Sequence, residues 1–175
     1  MTAISDEAEA RAMLLDDALR AVELVRGLDG PVVDVGSGGG SPGIPVAVAL
    51  PDRKVTLLEA ARRKCEFLER WAPPNARVVW GRAEEQPTDA YGVALAKALA
   101  QPPVAVELCL PLVRPGGSVV LWLGSSADLE LVGRVSTLIG GDLPEVRDGL
   151  VVVRKLAPTP PGFPRRSGMA KKRPL

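Results

Sequence analysis

Between residues 31 and 124, short apolar runs alternate with stretches of helical periodicity, and this alternation restricts the possible folds more than any other feature of the chain. The runs are PVVDV (31–35), KVTLLE (54–59), ARVVW (76–80), GVALAK (92–97) and GGSVVLWLG (116–124). They read as strands, and strands spaced by helices read as a parallel sheet covered on both faces. The intervening segments, near Ile44–Leu50, over 61–72 and over 102–113, carry apolar residues at helical spacing, and Pro102 opens the last of them. A further helix is predicted over 126–139 with Ser126 as its N-cap, followed by two strands meeting at Asp148-Gly149, a favoured tight-turn pair. The expectation is an α/β, Rossmann-like, doubly wound and mostly parallel sheet that ends in an antiparallel hairpin.

Residues 6–27 read as one amphipathic helix with acids at its start. The last stretch, APTPPGFPRRSGMAKKRPL, has five prolines and little periodicity. It should be extended, and ordered only where it docks. Three segments result: a helical 1–30, a ligand-binding 31–157 and a basic, proline-rich 158–175. A chain of 175 residues with 46% hydrophobic content holds one core of this kind. No apolar run is long enough to cross a bilayer, and the acidic start lacks the pattern of a signal peptide, which points to the cytoplasm.

The absence of histidine removes imidazole acid/base catalysis and most zinc sites. Cys65 and Cys109 form no CxxC pair and read as reduced structural thiols, so no metal is expected. Charge is uneven. Seven basic and no acidic residues lie from Arg154 onward, leaving fifteen basic against twenty-one acidic residues before it. A basic tail on an acidic body either meets phosphate or serves as a solvated tail. Trp71, Trp80 and Trp122 are expected in the core or at its rim.

The segment DVGSGGGSPGIP (34–45) follows the first strand, where doubly wound folds bind ligands. Gly36, Gly38 and Gly40 allow close backbone approach, although a tight turn also uses glycine. Gly38–Gly43 matches GxGxxG, so a nicotinamide dinucleotide is one reading. Asp34 argues for another. An acid on the site floor repels a pyrophosphate but favours the ammonium and sulfonium of S-adenosylmethionine. Glu59 ends the second strand, where an acid can accept from both ribose hydroxyls of either cofactor. The backbone near Ala83 and Glu84 would edge the adenine, unless Glu84 and Glu85 simply start a helix.

These segments resemble the RsmG (GidB) family of ribosomal RNA methyltransferases. The family loop is similar to D-x-G-[ST]-G-x-G-x-P-G-[IL]-P, here Asp34, Gly36, Ser37, Gly38, Gly40, Pro42 and Gly43. A strand ending in an acid follows, Glu59-Ala60, and then K-x-x-F-L at Lys64, Phe67 and Leu68. Arg82, Glu84 and Glu85 match the family's R-x-E-E, and LVVVRKLAPTPPGFPRRSGMAKKRPL resembles its closing elements. The resemblance implies S-adenosylmethionine as cofactor and methyl transfer to a guanine N7 of 16S rRNA in the small ribosomal subunit. That nitrogen has a lone pair and no proton, so no general base is needed. It also implies RNA contacts by Arg165, Arg166, Lys171, Lys172 and Arg173, and a monomer.

The departures fall on the substrate side. The family's S-R-A after the fourth strand is Ala96-Lys97-Ala98, leaving Lys97 as the cation that positions substrate and borders the cofactor. Its K-G after the fifth strand is Leu123-Gly124, its R-H before the last strand is Asp148-Gly149, and its early R-H-x-x-D-S keeps only Asp16 or Asp17. The alternative is therefore a relative that binds S-adenosylmethionine with lost or altered methyltransferase activity.

Overall fold

The computed structural model describes residues 6–124 and 126–175. The apolar runs become strands β1 (Val32–Val35), β2 (Val55–Glu59), β3 (Ala76–Trp80), β4 (Tyr91–Lys97) and β5 (Val113–Trp122). The hairpin supplies β6 (Glu145–Arg147) and β7 (Leu150–Arg154), with Asp148 and Gly149 both at positive φ (51° and 71°) in the turn. The sheet order is β3-β2-β1-β4-β5-β7-β6. The first five strands are parallel, and β7 joins β5 and β6 antiparallel. The order reverses between β1 and β4, so the carboxyl ends of these two strands form the crevice in which such sheets take ligands.

Helices α1 (Glu7–Ala10), α2 (Asp17–Leu19), α3 (Val22–Arg26), α4 (Gly43–Ala49), α5 (Arg62–Trp71), α6 (Pro102–Cys109), α7 (Leu129–Leu138) and α8 (Met169–Lys172) cover the two faces. Side-chain alternation divides the core. Val93 and Leu95 of β4 face Val46, Leu68 and Val25, while Ala94 and Ala96 face Val106, Val132 and Ala170. Strands β1 and β2 are buried along their whole length, as continuous apolar runs require.

The structure departs from the sequence reading in four places. Residues 6–27 are not one helix. A π-type turn occupies Arg11–Asp16, and α2 and α3 are separated. The cause lies in the carbonyls. Met13 O accepts from Lys97, Leu14 O from Ser41 Oγ (2.7 Å) and Asp17 O from Trp122 Nε1 (3.0 Å), and these outside donors disturb the helical ladder. Helix α7 is capped by Asp128, not Ser126, through Leu131 N–H at 2.9 Å. Trp71, at the end of α5, is 65% exposed, and Trp80 is 62% exposed because β3 is an edge strand of the sheet. Trp80 is held instead by its Nε1 on Ala60 O (3.0 Å) and by the Arg62 guanidinium 5.5 Å above its ring. Trp122 packs at the rim, as expected.

The fourth departure is in the tail, which docks on the body but is not extended throughout, forming α8 near its end. Arg165 makes a two-pronged ion pair with Glu107 of α6 (2.5 and 2.6 Å), and Glu107 is buried. Lys155 is completely buried, donating to Leu110 O (3.0 Å) and Thr159 Oγ1 (2.8 Å) near Asp89. Burial pulls its pKa down against the pull of Asp89. Two of the seven basic residues counted toward a phosphate-binding tail are thus engaged by the protein itself, Lys155 in the interior and the half-buried Arg165 on Glu107.

Candidate functional site

The glycine loop owes its shape to the strand ends beneath it. Gly36 N and Ser37 N donate to Leu58 O (2.8 and 3.1 Å), and Ser37 Oγ donates to Asp34 O (3.0 Å). Gly36 and Gly38 adopt φ of 74° and 54°, in the left-handed region open to glycine. A Cβ on Gly39 would project into open space and one on Gly38 would touch Gly36 O at 3.7 Å, whereas one on Gly36 would strike Leu99. Gly43 differs in kind. A Cβ there would collide with Leu57 and Asp34, so this glycine lets α4 start directly on β1. Glu59 fixes the loop from the side. Its Oε2 accepts from Gly38 N (2.9 Å) and its Oε1 from Ala61 N (2.8 Å).

Beside this loop is a cavity of about 220 Å³. It brings together Gly36, Glu59, Ala60, Arg82, Ala83 and Glu84, which the sequence reading placed at one site. Ala83–Glu85 is a 3-10 turn, so Glu84 and Glu85 do open a short helical turn, and Ala83 and Glu84 line the cavity. Leu99, Leu108, Gly168 and Lys171 also line the cavity, and the sequence reading did not place them there. Leu99 follows the strand-end lysine by two residues, the only sequence signal for it. Gly40 lines a second, apolar cavity of about 520 Å³ between the loop, Phe67 of α5 and Leu14 and Leu15. Lys64 borders both cavities.

Asp34 lies under the loop, 1% exposed. Its Oδ2 accepts from Gly43 N (3.1 Å), and its Oδ1 has no hydrogen-bond partner. Burial pushes its carboxyl up to about 7, with the charge of Glu59 adding to burial and the Ser37 and Gly43 donors opposing it. A buried carboxylate oxygen without a donor, under a glycine cradle open at Gly39, fits a cofactor that brings a cationic hydrogen-bond donor.

Lys97 reaches the same edge but does not enter the cavity. Its ammonium pairs with Asp17 Oδ2 at 2.7 Å and bonds Met13 O. Arg20 joins this cluster, bonding Asp17 Oδ1 (2.8 Å) and the backbone carbonyl of Asp148 (2.5 Å). Burial works against ionisation of Asp17, but Lys97 and Arg20 outweigh it and hold its pKa below the usual carboxylate value. Of the tail cations, Arg165 is turned onto Glu107 and Lys171 reaches Leu99 O (3.4 Å), while Arg166, Lys172 and Arg173 have exposed side chains. Among the described residues no cluster of His, Cys, Asp and Glu suits a metal ion, and no helix is long and apolar enough to cross a membrane. Cys109 is buried, which pushes its thiol pKa up and leaves it inert.

Residues 1–139 match the family model described as rRNA small subunit methyltransferase G, GidB. Proteins named ribosomal RNA small subunit methyltransferase G align with the whole of this chain. That of Acetivibrio thermocellus is 32% identical with 81% of its own length covered, and that of Pelotomaculum thermopropionicum is 36% identical with 82% covered. Among solved structures, a T. thermophilus 16S rRNA methyltransferase in complex with AdoMet and guanosine superposes with a TM-score of 0.58 at 18% identity, over 84% of this chain and 40% of that one. The antibiotic-resistance methyltransferase Kmr gives 0.54 at 20% identity, over 79% and 93%. At these identities the superpositions speak for the fold, that of class I methyltransferases.

Proposed function

The chain belongs to the rRNA small subunit methyltransferase G family of S-adenosylmethionine-dependent enzymes, and from that premise we propose that it methylates N7 of a guanine in 16S rRNA of the small ribosomal subunit. The observation that carries the reading is the loop clamped by Glu59 beside a cavity, with an unpartnered Asp34 oxygen beneath it. When bound, S-adenosylmethionine supplies a methyl group on a positively charged sulfur. Gly36 and Gly38 offer backbone at close range, and Asp34 offers a carboxylate to a cation. Glu59 has lone pairs beyond those used on Gly38 and Ala61, enough to accept from ribose hydroxyls. Ala60 and Ala83 present small apolar surfaces suited to a flat base.

On the substrate side, guanine N7 needs no proton removed, so the chain's work is positioning and electrostatics. The absence of histidine is compatible with that chemistry. Arg166, Lys172 and Arg173 are the tail cations proposed to meet RNA phosphate, in the cytoplasm, with the protein acting as a monomer. Incubating small ribosomal subunits that lack the mark with labelled S-adenosylmethionine should place label on a guanine N7 of 16S rRNA. Subunits that take up no label sink the proposal.

One observation favours a second reading, a cofactor-binding relative with lost or altered activity. Lys97 is tied to Asp17, and Leu123 and Asp148 stand where the family carries cations. Restored guanine-N7 methylation in a null strain expressing this chain ends that reading.

A further inference from the structure

We propose that residues 167–172 of the tail form a wall of the cofactor cavity, so that docking of this segment and binding of an adenosine-bearing cofactor are coupled. This rests on the reading of the cavity as the S-adenosylmethionine site. Gly168 and Lys171 line the same space as Glu59, Ala60 and Ala83. The segment is fastened to two different strand ends. Gly168 N–H donates to Glu84 Oε1 (2.7 Å) and Ser167 Oγ to Glu85 Oε1 (2.8 Å), both in the turn after β3. Lys171 Nζ reaches Leu99 O (3.4 Å) after β4. The tail therefore bridges the cavity from the turn after β3 to the segment after β4.

Its hold is weak by construction. Glu85, Ser167 and Lys171 are exposed, and only Ala170 of the segment is buried, against the cluster that includes Val106 and Leu108 of α6. Exposed polar contacts of this kind contribute little net stability each. The strong fastening is further back, at Arg165 on Glu107. The segment beyond it is a wall held by a firm root and light contacts, open to reinforcement by whatever fills the cavity. Coupling of this kind is reciprocal. The factor by which the docked segment raises cofactor affinity is the factor by which cofactor favours docking. A tail that served RNA alone would leave cofactor affinity untouched.

The test uses a chain ended after Arg166, which keeps the Arg165–Glu107 pair, and titrates it calorimetrically with S-adenosylhomocysteine beside the full chain. The truncated chain should bind about tenfold more weakly, and affinity within twofold of the full chain overturns the inference. Hydrogen exchange on the intact protein gives an independent readout that does not depend on the truncated chain folding. S-adenosylhomocysteine should slow exchange over 167–172 together with Gly36–Gly40. Slowing at the loop alone overturns the coupling. A full chain that binds no S-adenosylhomocysteine defeats the reading of the cavity itself, an outcome distinct from binding without a response in the tail.

Discussion

At Asp34, burial outweighs the two local donors and holds the carboxyl near 7, against 3.8 for an ordinary aspartate. A carboxyl whose pKa is raised by folding favours the folded state in its protonated form. Its contribution is present below about 4 and is lost as pH rises through about 7. A cofactor cation reverses the preference, because it stabilises the ionised form. Affinity for S-adenosylhomocysteine should therefore climb between pH 5.5 and 7 and level off above, with proton release visible as buffer-dependent binding heat. Asp34→Asn should abolish the slope, and a flat profile in the native protein excludes Asp34 as the cation's partner. Gly38→Val forces a branched residue to a φ of 54° and sets its side chain against Gly36 O, distorting the loop. Cofactor binding should be lost, as calorimetry checks. The glycine positions were legible in the sequence because a positive φ favours that residue type. Lys97 was legible as a cation at a strand end, but its partner, Asp17, lies eighty residues earlier, and no local pattern encodes a pairing at that distance.

The elements built from local periodicity were legible, and those shaped by distant donors were not. Strands β1 to β5 follow from their apolar runs. The break in the first helix depends on Lys97, Ser41 and Trp122 withdrawing three of its carbonyls, which its own apolar spacing cannot announce. Helix α6 carries the same lesson in one residue, because Glu107 sits in an otherwise apolar helix and its partner among the described residues is Arg165. Replacing Arg165 with Ala leaves that carboxylate buried and unpaired, and should destabilise the protein by about 3 kcal/mol or more. Arg166→Ala, one residue on and exposed, should shift stability by no more than about 0.5 kcal/mol. Urea unfolding of the two variants separates them. Equal stabilities would place Arg165 among the surface cations.

For the whole molecule, charge is the property that reaches furthest from its residues. The acidic body and basic tail were legible from composition, but the burial of Lys155 and the pairing of Arg165 with Glu107 were not, so the cations left for RNA are fewer than counting suggests. Replacing Arg166, Lys172 and Arg173 together by Ala should lower the slope of log affinity for RNA against log salt by roughly 2–3, at about 0.7–0.9 per phosphate contact. An unchanged slope would make these residues a solvated surface. The Arg165–Glu107 pair also has a dimension in time. The two residues stand 58 positions apart. A chain made at roughly 5–20 residues per second completes the second about 3–12 s after the first. Throughout that interval α6 carries an acid that it cannot bury without cost. Final closure of the helix layer over the sheet therefore waits on the segment that carries Arg165, and an emerging chain finishes this part of its core only when that residue arrives.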